Sequence, residues 1–63
     1  MMTPEQERWA EAAMVQRLHG DGAQAHIADR IADLLRKGDQ AGVGRWCEIG
    51  ARVAELATPG TVQ

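Results

Sequence analysis

Four side chains in the sequence are of types that bind transition metals: the imidazoles of His19 and His26, the carboxylate of Asp21 and the thiol of Cys47. A structural zinc site uses four nitrogen or sulfur ligands, usually in closely spaced pairs. The two histidines are seven residues apart, and no histidine or second cysteine stands near Cys47. The spacing therefore predicts no metal site, with His19 beside a helix C-terminus and His26 on a solvated helix face.

Two other patterns could support catalysis. A nucleophilic cysteine needs a nearby base, but Cys47 falls on the same side of its predicted helix as Trp46 and Gly50, which favours a buried, unreactive thiol. Asp29 and Asp33 lie one helical turn apart, although acid–base catalysis also needs a pocket around such carboxylates. A chain of 63 residues has little room for that pocket. We expect no enzyme activity, no catalytic residue, no cofactor and no small-molecule ligand.

A third pattern concerns nucleic acid. Arg45 and Arg52 lie on the third predicted helix, and three-helix units commonly place one helix in the major groove of DNA. Glu48 and Glu55 alternate with these arginines, and the chain carries seven basic and nine acidic residues for a net charge of −2. Nucleic-acid binders usually have a basic face. A DNA-binding regulator is therefore retained only as an alternative prediction of function.

Three glycines also lie on this predicted helix. Gly42 and Gly44, followed by Arg45, could present backbone N–H groups to an anion at the helix N-terminus. The simpler interpretation is a weakened first turn, since glycine costs about 1 kcal/mol relative to alanine inside a helix.

The elements that position these residues are set by two short sequences, His-Gly-Asp at 19–21 and Lys-Gly-Asp at 37–39. In each, a glycine suited to a left-handed C-cap is followed by an aspartate suited to an N-cap. A Thr-Pro-Glu-Gln sequence at 3–6 has the spacing of a capping box. The predicted caps are Thr3, Gly20, Asp21, Gly38 and Asp39.

These caps predict three helices, over about 4–18, 22–37 and 40–57. Turns this short place consecutive helices antiparallel. We therefore expect an all-α fold, a small up-down-up three-helix bundle formed by a single domain over 1–57, with a flexible C-terminal tail over 58–63.

Apolar residues spaced three and four apart predict the buried face of each helix. The second helix has the cleanest pattern and should form the core hairpin with the third. The predicted stripe of the first helix is thinner and leaves Val15 off it. That stripe consists of Trp9, Ala10, Ala13, Met14 and Leu18.

Trp9 and Trp46 are the only aromatic residues, and core positions are the first expectation for both. An exposed tryptophan would mark a protein interface, since tryptophan is enriched at binding hot spots. Gly50, near Trp46, would permit the close approach of another helix. With Val15, these residues form the candidate interface of a non-enzymatic helical module that binds another protein or itself as a homo-oligomer.

The compartment follows from cysteine usage and hydropathy. One cysteine cannot form an internal disulfide, which fits a reducing cytosol. The first residues include several charges, unlike a signal peptide, and no apolar run approaches the roughly 18 residues that a membrane helix needs. We expect a cytoplasmic protein without membrane association.

Several stretches together resemble a family of short, about 60-residue proteobacterial helical proteins of unknown function. They are Glu-Arg-Trp-Ala-Glu at 7–11, His-Gly-Asp at 19–21, Ile-Ala-Asp-Arg-Ile at 27–31, Gly-Asp-Gln-Ala-Gly at 38–42 and Trp-Cys-Glu-Ile at 46–49. The resemblance implies a bacterial, cytoplasmic protein, and it implies no catalytic or binding residue.

Overall fold

The computed structural model describes residues 1–57, and every regular element in that range is helical. The elements are α1 (Pro4–His19), a 3-10 turn (Gly20–Gly22), α2 (Ala23–Lys37) and α3 (Gln40–Leu56). The prediction of an all-helical chain is confirmed, with helix ends within one residue of those expected. The predicted tail at 58–63 lies outside the described residues.

The start of α1 has the predicted capping box. The Thr3 hydroxyl accepts from the Gln6 backbone N–H at 3.1 Å, and the Thr3 backbone N–H donates to the Gln6 side chain at 2.9 Å. Pro4 occupies the first helical position, where no N–H is needed. The start of a helix leaves several backbone N–H groups unpaired. Here the N–H of Gln6 is bonded, and Pro4 has no N–H.

The turn between α1 and α2 differs from the prediction. Gly20 has the expected positive φ of 53°, but its ψ of −125° lies outside the left-handed helical region. The prediction that Asp21 caps α2 is wrong, because Asp21 lies inside the 3-10 turn and Gly22 precedes α2 without a side-chain cap. The Ala23 N–H donates to the Gly20 carbonyl, so the 3-10 turn leads directly into α2.

The turn between α2 and α3 is the one that the sequence predicts. Gly38 is left-handed, with φ 75° and ψ 19°, and its N–H donates to the Leu35 carbonyl at 3.1 Å. The Asp39 N–H donates to the Leu34 carbonyl at 2.9 Å, which completes a Schellman motif. The Asp39 carboxylate then accepts from the Gly42 N–H at 2.9 Å and caps α3.

Packing centres on α3, which contacts both α1 and α2 extensively, whereas α1 and α2 touch each other little. Contacts between Gln24 and Gly50 and between Arg30 and Trp46 show α2 and α3 running antiparallel. The described residues therefore show helices packed around α3, and not clearly the up-down-up three-helix bundle that the turns predict. The central cluster consists of Ala12, Val15, Ala23, Ile27, Ile49 and Val53.

The buried face of α1 is not the predicted one. Ala12 is fully buried and Val15 is only 8% exposed, while Met14 and Leu18 are 57% and 70% exposed. Ala10 and Ala13 are also exposed, and Trp9 is half-buried. The predicted stripe is thus wrong for four of its five residues, and Val15, predicted as an interface residue, belongs to the core.

Candidate functional site

The exposed apolar residues of α1 form a surface that we call the outer face. Two of its side chains are large and more than half exposed, Met14 and Leu18. A shallow depression lined partly by Ala13 and Leu56 continues the apolar surface towards α3, and Leu56 is itself exposed. The outer face is defined by Ala10, Ala13, Met14 and Leu18.

A chain of ion pairs along the edge of α1 that faces α3 holds the helix against α3. Arg8 donates to Glu48 at 2.9 Å and to Glu11 at 3.0 Å, and Glu11 also pairs with Arg45. The hydrogen bonds to Glu48 and Glu11 raise the pKa of the Arg8 guanidinium. The hydrogen bond from Arg45, with that from Arg8, lowers the pKa of the Glu11 carboxyl.

These ion pairs explain why α1 presents the outer face to solvent. Long charged side chains bury their stems while their heads stay paired at the rim, and fully buried Ala12 presents only a methyl group to the interior. These ion pairs have a pattern in the sequence: each helix carries an arginine and a glutamate three residues apart, Arg8 with Glu11 in α1 and Arg45 with Glu48 in α3. The prediction of Arg45 as a phosphate ligand therefore left out its ion pair with Glu11.

A shallow cleft of about 440 Å³ adjoins the outer face, with Met14 and Leu18 on one side and Trp46 on the other. Trp46 is half-buried and packs against the core. The His26 ring meets the Trp46 ring edge-on at 5.7 Å, and the guanidinium of Arg30 lies 5.4 Å from the Trp46 ring centroid. Aromatic, cationic and aliphatic groups thus share one surface.

The two histidines are adjacent in this cleft. Their ring centroids lie 3.9 Å apart with an interplanar angle of 14°, so the rings stack. His26 is half-buried, with the His19 ring on one side and the Trp46 ring on the other, which corrects the prediction that it lies on a solvated helix face. Within residues 1–57, no three or more His, Cys, Asp or Glu side chains gather where they could hold a metal ion.

The other predicted interface residues support packing within the chain. Trp9 is half-buried, and the Arg52 guanidinium lies 5.4 Å from its ring centroid. Gly50 lets α2 approach closely, because a Cβ there would lie 3.3 Å from Ile27, and its carbonyl accepts from Gln24 at 3.1 Å. Gly50 therefore contributes to the contact between α2 and α3.

The candidate catalytic residues are not brought together. Cys47 is exposed, so the prediction of a buried thiol is wrong: α3 buries Ile49 and Val53 and turns this side chain outwards. Asp33 pairs with Lys37 at 3.0 Å and Arg36 at 3.2 Å. The hydrogen bond from Lys37 is the main reason why the pKa of Asp33 is lowered.

The residues considered for phosphate or anion binding have other contacts. Arg45 pairs with Glu11, and Arg52 donates to the Glu48 carbonyl at 3.3 Å besides lying over Trp9. The Gly42 N–H, one of the two backbone groups considered as anion donors at the start of α3, is bonded to the Asp39 carboxylate. Internal partners therefore occupy these groups.

Over residues 1–57 the fold is a small all-helical one with exposed apolar side chains on α1. A model for a family of unknown function, DUF6961, matches residues 4–60, and the chain belongs to that family. The chain has no significant match among curated proteins or solved structures. No helix within the described range has the length and apolar character required to cross a membrane.

Proposed function

We propose that this protein is a non-enzymatic interaction module that docks on another protein, or on a second copy of itself, through the outer face of α1. The observation that carries the proposal is the exposure of Met14 and Leu18 beside buried Val15. Exposed apolar groups that adjoin one another are typical of interaction sites, whereas scattered ones need no explanation. Here the two side chains also line one cleft with Trp46.

The cleft suits a protein partner. Met14 and Leu18 provide flexible aliphatic surface, and methionine adapts to differently shaped partners. Arg30 forms no ion pair within residues 1–57, so its charge remains open to a partner's acidic group. Tryptophan and arginine together are enriched among the residues that dominate binding energy. The cleft has the composition of a small recognition surface.

The module acts in the bacterial cytoplasm, where a lone exposed cysteine such as Cys47 stays reduced. The alternative function, DNA regulation through α3, has less support. Arg45 is paired with Glu11, and Arg52 is engaged by Trp9 and the Glu48 carbonyl. Few cations thus remain on α3 for phosphate contacts, which supply much of the affinity in DNA binding.

Site-specific photo-crosslinking in the native host tests the proposal. A photoreactive side chain replaces Met14 or Leu18 in turn, with Leu35 as the matched control because it is exposed but lies on α2. We expect positions 14 and 18 to give adducts with the same protein, and the adduct at 18 to disappear when Met14→Lys is added. Absence of adducts, or equal adducts at position 35, would contradict the proposal.

A further inference from the structure

A stripe along α1 combines opposite charges with apolar residues. Glu7, Ala10, Met14 and Arg17 are separated by three, four and three residues, which places them on one side of a helix with 3.6 residues per turn. All four side chains are exposed. Within residues 1–57, neither Glu7 nor Arg17 forms an ion pair. The apolar centre therefore has an unpaired charge of opposite sign at each end.

When two copies of this stripe run in opposite directions side by side, their residues match in charge and in size. The point midway between Ala10 and Met14 is also midway between Glu7 and Arg17. A two-fold axis through that point would place a second α1 antiparallel to the first. Glu7 would then face Arg17 of the second copy, and Ala10 would face Met14 of the second copy. Each small side chain meets a large one, and each acid meets a base.

We infer that the occupant of the outer face is a second copy of this chain, docked through α1 in an antiparallel, two-fold symmetric pair. This rests on the proposed function and specifies its partner. A two-fold interface must be self-complementary, and the Glu7 to Arg17 stripe meets that requirement in both charge and size. Ala13 and Leu18 flank the stripe, and Leu56 lies beside Ala13 and Arg17 at its edge.

Charge reversal tests the pairing, measured by sedimentation equilibrium of the full chain over micromolar concentrations. The unaltered chain should dimerise. Glu7→Arg or Arg17→Glu should each weaken the dimer by roughly tenfold or more, because each places two like-charge pairs across the symmetric interface. The double variant Glu7→Arg/Arg17→Glu should restore the dimer, and mixing the two single variants should give a heterodimer.

Glu5→Arg is the matched control for helix stability. Glu5 lies in the first turn like Glu7, so both substitutions lose the same interaction with the helix dipole. Its position two residues earlier places it on the opposite side of α1. Glu5→Arg should leave the dimer unchanged, and circular dichroism should show the variants folded.

Three results would overturn the inference: a monomeric unaltered chain throughout the concentration range, single variants that dimerise as well as the unaltered chain, or a folded double variant that stays monomeric. If the chain is monomeric but positions 14 and 18 still crosslink to another protein, the interaction module stands and only self-association fails. If those adducts are also absent, both proposals fail.

Discussion

Met14 and Val15 are neighbours in the chain and lie in opposite environments, since Val15 is 8% exposed in the core cluster and Met14 is 57% exposed on the outer face. The larger and more flexible of the two apolar side chains is the one in solvent. A helix that turns one apolar stripe inwards and leaves another outside has a second surface available for association.

Truncation of these two residues should separate packing from recognition. Val15→Ala should lower the free energy of unfolding by about 1–3 kcal/mol, because it leaves a cavity in the core. Met14→Ala should change it by less than about 0.5 kcal/mol, as expected of a surface position. Urea unfolding measures both, at a protein concentration low enough to keep the chain monomeric. Equal losses for the two variants would show that Met14 is buried.

The two turn glycines should differ in their tolerance of asparagine. Gly38 is in the left-handed helical region, which asparagine enters readily, whereas Gly20 combines φ 53° with ψ −125°. Gly38→Asn should therefore cost less than Gly38→Ala, which loses about 1–2 kcal/mol. At Gly20, both replacements should cost about 1–3 kcal/mol. A similar benefit of asparagine at both positions, measured by thermal unfolding, would contradict this difference.

Two glycines of α3 should respond to alanine with opposite signs. A Cβ at Gly42 would lie 2.7 Å from an Asp39 carboxylate oxygen and 3.2 Å from Leu34, whereas a Cβ at Gly44 meets nothing within 4 Å. Gly44→Ala should raise the free energy of unfolding by up to about 1 kcal/mol through helix propensity. Gly42→Ala should lower it, because the added methyl group displaces the cap. Chemical denaturation compares the pair directly, and stabilisation by both would exclude the clash.

Acid should weaken the contact between α1 and α3. The paired arginines lower the pKa of Glu11 in the folded protein below its ordinary value of 4.5. As the pH falls, the unfolded chain binds this proton first, so the stabilisation is complete above the ordinary pKa and is lost as the pH falls through the folded-state value. Glu11→Gln should therefore reduce the loss of stability between about pH 5 and pH 3.

Glu55→Gln is the control for this titration. Glu55 is exposed and forms no ion pair within residues 1–57, so its replacement should leave the pH profile unchanged. Asp33, whose pKa is also lowered, should maintain part of the acid sensitivity in both variants. Thermal unfolding in a series of buffers measures the three profiles. Identical profiles for Glu11→Gln and the unaltered chain would show that the ion-pair chain is not formed in solution.

Local chemistry made much of the fold predictable. The Thr3 capping box and the left-handed Gly38 followed by the Asp39 cap depend on hydrogen bonds between residues at most five apart. Such contacts depend little on the rest of the molecule. Asp21 is the exception, because both a helix cap and a 3-10 turn are compatible with a Gly-Asp-Gly sequence.

The candidate site was less predictable. Apolar periodicity marked Met14 and Leu18, but it assigned them to the core, and it assigned Cys47 to the interior as well. α1 carries apolar residues on more than one side, so its periodicity alone does not select the side that packs. The prediction that Arg45 could contact phosphate did not include its ion pair with Glu11.

By itself, the sequence determined where the helices begin and end, since capping and glycine conformation act over a few residues. Only the tertiary structure decided which side of α1 faces α3. That choice depends on contacts such as Arg8 with Glu48, which join residues 40 positions apart, and on the burial of Ala12 and Val15 against α3. Once those contacts form, Met14 and Leu18 are left exposed, because the part of α1 that packs against α3 is the one that carries Ala12 and Val15.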